Sequence, residues 1–221
     1  MKNPYTTSSE HPLNALHREV SSPDTDKQTI KALKIAAAEG DADAQYKLFD
    51  LYASGHAPEM TVAEARALLN RATDQGHPAA LYTSALLQLE ASGQPVAPPQ
   101  ALFYLEIAGD RGYSDAYLRL YDIYANGKGL PADKERAQTF LQKAMEQGSA
   151  RAYLVVAKSL LPDGAAPSVD YDTSYYYAEQ AAQRGSQEAV SLIIHLLENN
   201  LVNGDHTELL AYWKRQLHPT Y

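Results

Sequence analysis

From Ala116 to Gly148 the chain reads AYLRLYDIYANGKGLPADKERAQTFLQKAMEQG, and this stretch decides the fold. Ala116, Leu120, Ile123 and Tyr124 fall three or four residues apart, the spacing that lines one face of a helix with apolar side chains. Asn126-Gly127-Lys128-Gly129 then interrupts the run with turn chemistry. Asp133 suits the N-cap of a second helix, and Gly148 suits a left-handed residue just past its end, where a Cβ is costly. The segment reads as helix, turn, helix.

The same frame extends in both directions. Ala-x-x-x-Gly occurs at Ala36–Gly40, Ala72–Gly76, Ala108–Gly112, Ala144–Gly148 and Ala181–Gly185, with offsets of 36, 36, 36 and 37 residues. Four residues beyond each glycine stands another alanine: Ala44, Ala80, Ala116, Ala152 and Ala189. A third column, seven residues before the first, holds Ala65, Ala101 and Ala137. Three columns in register define an internal repeat whose unit is a helix pair. One such pair cannot bury both its faces, whereas stacked copies can, so the expectation is an all-α solenoid. Turn chemistry at Ser54-Gly55, Ser92-Gly93 and Pro162-Asp163-Gly164 separates the helices of the other units, and Thr61 with Glu64 forms a capping-box pattern. Pro98 and Pro99 suit a first helical turn. Helices are predicted near 26–39, 41–54, 61–74, 77–91, 98–110, 113–126, 133–146, 149–161, 172–183, 186–200 and 205–217. The domain reading is a polar extension over 1–24, one solenoid over 25–217 and a short tail over 218–221. Within the extension, the spacing allows a short helix from Leu13 to Val20.

Composition agrees. The 221 residues include roughly 35 alanines, and 16 tyrosines against 3 phenylalanines. Alanine gives up no side-chain entropy in a helix and lets helices approach closely; tyrosine suits half-buried positions with its hydroxyl at the rim. The formal net charge of −8 argues against a general nucleic-acid binder. Absence of cysteine excludes disulfide scaffolds, thiol nucleophiles and cysteine-ligated zinc. No stretch approaches the ~18 apolar residues of a spanning helix. No secretory apolar core stands near Met1, which makes the cytoplasm the default expectation, although a processed exported chain would look the same.

Residues 116–148 resemble a Sel-one-like repeat, a relative of the tetratricopeptide repeat, and the resemblance covers about residues 30–217 in four to five units. The second unit departs from the pattern with Gln88 where the repeat tyrosine (Tyr52, Tyr124) belongs. The fourth has Ser174 in the third alanine column and one extra loop residue, and the fifth is degenerate around Ala211, Tyr212 and Trp213. The resemblance implies a right-handed superhelix whose first helices line a concave face, and a role in binding other proteins. Carried over from the tetratricopeptide frame, the groove positions lie one before, two after and six after each alanine of the second column. They select Asp43, Tyr46 and Asp50; Ala79, Tyr82 and Leu86; Asp115, Leu118 and Asp122; Arg151, Leu154 and Lys158; and Glu188, Ser191 and His195. This groove would be acidic in its first and third units, apolar in its second and basic in its fourth. The run Tyr175-Tyr176-Tyr177 must leave at least one ring exposed, because consecutive helical residues point ~100° apart.

The sequence offers no catalytic constellation: no Gly-x-Ser-x-Gly, Ser-x-x-Lys, phosphate loop or His-Glu-x-x-His. Nor do any two of the seven histidines stand at i, i+4. We therefore expect no catalytic, cofactor or metal site, and a partner that is another protein or a peptide, with the oligomeric state open. The leading expectation is a non-enzymatic adaptor. The second is an inhibitor or immunity-type protein that blocks an enzyme or secreted toxin, and the third an enzyme or small-ligand binder.

Overall fold

The computed structural model describes residues 23–91, 97–162, 169–204 and 206–217. Eleven helices and no strands occur among them: α1 (Pro23–Ala38), α2 (Ala42–Ala53), α3 (Val62–Asp74), α4 (Pro78–Ala91), α5 (Pro99–Asp110), α6 (Ser114–Asn126), α7 (Lys134–Glu146), α8 (Ala150–Ser159), α9 (Tyr171–Gln183), α10 (Gln187–Glu198) and α11 (Thr207–Leu217). Each matches a predicted helix within a few residues. The largest shift is at α1, which opens at Pro23, inside the stretch read as extension; proline is well tolerated in a first turn, where its missing N–H has no intrahelical partner to lose. The short helix over 13–20 lies outside the described residues, as do Ser92-Gly93 and Asp163-Gly164.

The repeat spacing now has a physical cause. At the end of α3 the His77 N–H donates to the Ala72 carbonyl (2.9 Å) and the Gly76 N–H to the Thr73 carbonyl (2.8 Å), the two bonds of a Schellman cap. Gly76 has φ +76, which a Cβ disfavours. The alanine and the glycine of Ala-x-x-x-Gly are thus the third-last helical residue and the left-handed residue of one cap. The same pair of bonds closes α1, α5, α7 and α9. Ala72, Ala108, Ala144 and Ala181 are also wholly buried, as are Ala80, Ala116, Ala152 and Ala189 in the second column. Any larger side chain there would hold the helices apart.

The helix starts follow their own chemistry. Asp41 accepts from the Ala44 N–H (2.8 Å), Asp133 from Arg136 (3.0 Å) and Asp170 from Thr173 (3.0 Å). Thr61 and Glu64 complete the capping box. Ser174 explains its own departure from alanine: its buried hydroxyl donates to the Ala157 carbonyl near the end of α8 (2.8 Å).

The chain groups into two compact units, Met1–Ala132 and Asp133–Tyr221. The first holds α1–α6. Its core runs through Phe49, Tyr52, Ala65, Leu69 and Ala72, with Ile30, Leu33 and Ala37 of α1 packed on Leu48. The second holds α7–α11, with Val190, Ile193, Ile194 and Leu197 of α10 packed with Ala157, Ala178 and Trp213. Trp213 gives the degenerate last helix its anchor.

Candidate functional site

In the first unit the first helices of successive repeats, α2, α4 and α6, are joined by a row of aromatic contacts. Tyr46 stacks on His77 with centroids 4.9 Å apart at 24°, and Tyr82 meets Tyr113 at 4.9 Å and 41°. Each pair joins a residue two past the repeat alanine to the residue just after the next repeat glycine. Tyr46 also shares a hydrogen bond with the buried Thr83 hydroxyl (3.2 Å). Burial pushes the Tyr46 phenol up to about 12, against that bond. His77 caps α4: its Nδ1 accepts from the Ala80 N–H (3.2 Å), so the neutral ring carries its proton on Nε2, 3.3 Å from Asp43 Oδ1.

Three of the expected groove residues are buried. Leu86, Leu118 and Leu154 are only 4%, 8% and 6% exposed. Leu154 packs on Ala181 and Ala189 of the neighbouring helices α9 and α10. Tyr46, Tyr82 and Leu154, each two past a repeat alanine, contact residues of the following repeat. Leu86, Leu118 and Leu154 belong to the core.

What remains on this face of the first unit is acidic and aromatic. Asp43 is exposed and paired with Lys47 and His77; Lys47, with a smaller contribution from His77, holds its carboxyl below the usual range. Asp50, Asp115 and Asp122 are half-buried. Asp122 accepts from Lys128 (2.8 Å) and Asn126 (2.7 Å). Asp50 and Asp115 bear on Tyr113, whose phenol is raised first by burial and then by the charges of Tyr46, Asp115, Tyr82 and Asp50. The Tyr113 hydroxyl is buried with no hydrogen-bond partner among the described residues. Sequence reasoning missed Tyr113, His77 and Thr83. The constant offset of 31 residues between Tyr46 and His77, and between Tyr82 and Tyr113, was the available signal.

In the second unit Arg151, Lys158 and His195 are exposed. Lys158 pairs with Glu188 of α10, which offsets the basic character expected there, and Asn199 lies 3.3 Å from His195 Nδ1. The tyrosine run behaves as its spacing requires: Tyr176 is 54% exposed while Tyr175 and Tyr177 pack at the edge of the core. Among the described residues, no helix is long and apolar enough to cross a membrane.

A family model described as the Sel1 repeat matches residues 42–77, 78–113, 114–149 and 160–186, more than half of the chain. Among curated proteins, chitin synthase regulatory factor 4 of Schizosaccharomyces pombe is 31% identical over 144 residues, covering 63% of this chain and 22% of that protein. An uncharacterized protein of Neisseria meningitidis is 27% identical over 159 residues, covering 72% and 33%. The chain thus spans a third or less of these relatives. Among solved structures, a Sel1 repeat protein from Oxalobacter formigenes superposes with a TM-score of 0.70 at 23% identity, covering 88% of this chain and 79% of that one. An immunity protein from Pseudomonas aeruginosa gives 0.64 at 18% identity, covering 94% and 78%. Repeat model, helix pairing and shared fold agree, and the chain belongs to the Sel1 repeat family, whose scaffolds are generally non-catalytic and mediate protein–protein interaction.

Proposed function

We propose that this protein is a non-enzymatic interaction scaffold that engages a protein partner through the face of the first unit carrying Tyr46, Tyr82 and Tyr113 with Asp43, Asp50, Asp115 and Asp122. The observation that carries this reading is the Tyr113 hydroxyl, buried without a partner in a setting of aromatic rings and carboxylates. A buried polar atom of this kind loses the hydrogen bonds it made in water. A lysine or arginine of a partner would donate to it and meet the carboxylates and ring faces together. The partner expected is therefore a basic segment. In the second unit, exposed Arg151, Lys158 and His195 are secondary candidates.

Inhibition of one specific partner, as an immunity-type protein, is the second reading. It draws support from the shared fold of two Pseudomonas aeruginosa immunity proteins, each covering more than nine-tenths of this chain. Affinity capture from the native cell followed by mass spectrometry separates the two: one stoichiometric partner favours inhibition, several favour an adaptor. The site itself is tested by titrating that partner with wild type and with Asp50→Lys and Asp115→Lys. Each reversal should weaken binding about tenfold or more and reduce its salt dependence. Unchanged binding by folded variants would refute the site.

A further inference from the structure

The second repeat breaks its own pattern at two core positions that lie one turn apart. The position held by Leu48 and Leu120, 2% and 0% exposed, is Ser84. The position held by the buried rings of Tyr52 and Tyr124 is Gln88. Both departures open onto one cleft between α3, α4 and α5, with a volume of about 690 Å³. The equivalent groove one repeat earlier, between α1, α2 and α3, still has Leu48 in its wall and measures about 430 Å³. Thr73, at the place of Ala37, adds a third polar substitution on the same wall. Thr73 donates to the Leu69 carbonyl (2.8 Å), so in its 2.8 Å contact with Ser84 the serine is the donor, and the Ser84 oxygen is left as an acceptor. With three polar side chains gathered on one wall, Ser84 and Gln88 give up buried apolar area that the neighbouring repeats keep in leucine and tyrosine.

We propose that this cleft is a second binding site, for a short extended peptide segment of neutral or basic character. Its volume is that of a ligand pocket rather than of a packing defect. The carboxamides of Asn70, Gln88 and Gln100 each present donor and acceptor together, the complement of a peptide backbone, and the Gln100 amide is oriented by its bond to the Tyr104 hydroxyl (2.9 Å). Leu69 and Leu87 supply an apolar floor for a small side chain. Asp74 and Glu90 outnumber Arg66 around the cleft, which disfavours an acidic segment. The site is separate from the acidic aromatic face. At 100° per residue, Ser84 and Gln88 lie 200° and 240° from Tyr82 around α4, on its opposite side.

The test is selection of short displayed random peptides on the full chain, followed by calorimetric titration of the selected sequences as synthetic peptides. Wild type is compared with Ser84→Leu/Gln88→Tyr, which restores the repeat pattern and fills the cleft, and with Tyr82→Ala on the other face. The expected result is neutral or basic peptides whose affinity falls about tenfold or more in the filled variant and is unchanged in Tyr82→Ala. If the filled variant loses its cooperative melt, Asn70→Trp, a bulky change at an exposed rim position, takes its place with the same expectation. Selected peptides that are acidic, that bind the filled cleft as wild type, or that respond only to Tyr82→Ala overturn the proposal. So does a selection that yields none.

Discussion

Replacing Gly76 with alanine should cost more than the same change at Gly112, although both glycines end a helix in the same way. Gly112 has φ +91 with open space where a Cβ would stand. Its penalty is the left-handed backbone alone, about 1–2 kcal/mol, reduced by about 0.4–1 kcal/mol because alanine restricts the unfolded chain. The net for Gly112→Ala is roughly 1 kcal/mol on those figures. Gly76 has φ +76, and a Cβ there would overlap the Arg111 guanidinium outright. Arg111 reaches back across one repeat to donate to the carbonyls of Gly76 and Gln75. Displacing it removes a charge-assisted bond, worth about 1 kcal/mol for a side chain this exposed. Gly76→Ala should therefore cost roughly 2 kcal/mol by the same reasoning. Urea denaturation of the full chain, followed by circular dichroism, measures both. In an Arg111→Ala background the two costs should converge to within about 0.5 kcal/mol. A Gly76→Ala cost no larger than that of Gly112→Ala, or an excess that survives Arg111→Ala, would refute the reasoning.

Four further outcomes are expected. Ala116→Leu overpacks a fully buried position and should lower stability by about 1–3 kcal/mol, whereas Lys128→Ala, which removes an exposed pair with Asp122, should cost less than about 1 kcal/mol by the same denaturation. Thr61→Ala removes the capping box of α3 and should cost about 1 kcal/mol, with the loss appearing as a lower melting temperature. Ser174→Ala restores the alanine column but leaves the Ala157 carbonyl with only the longer bond from the Leu160 N–H (3.4 Å), so it should destabilise by about 1 kcal/mol; a gain in stability would show that the bond is dispensable. The Tyr46 phenol is raised from 10.0 to about 12 by burial, so the folded state holds that proton more tightly than the unfolded one. Its contribution is complete below pH 10 and is lost as pH rises toward 12; alkaline unfolding should steepen in that window, and Tyr46→Phe should flatten it.

Much of the fold was legible because the repeat fixes residues whose types have narrow physical alternatives. A left-handed cap asks for glycine, and a close helix crossing asks for alanine, so Ala72, Gly76 and Ala80 are readable as letters. The Thr61 and Asp133 caps are local devices and equally plain. The binding surface was less legible. A row of apolar residues two past each alanine serves a partner or the next repeat with the same side chains, and sequence does not separate these uses. Tyr46 and Tyr82 are half-buried against His77 and Tyr113, while Leu118 and Leu154 are buried, as is Leu86 six past its alanine. The polar cleft was half visible, since Gln88 stood out against Tyr52 and Tyr124, but its meaning required seeing Ser84 and Thr73 on the same wall.

The aromatic row within the first unit also sets how that unit should open. Tyr46 with His77, and Tyr82 with Tyr113, each fasten one repeat to the next, so α4 is gripped from both sides, whereas α1 packs chiefly on α2 and Leu68. In a nearest-neighbour array an element with fewer fastenings opens before one held on both sides. Amide hydrogens of α1 should thus exchange through local fraying, far faster than those of α4, which exchange only when both aromatic clasps have let go. A unit fastened this way keeps its second repeat assembled, and that repeat carries both Tyr82 and the polar cleft.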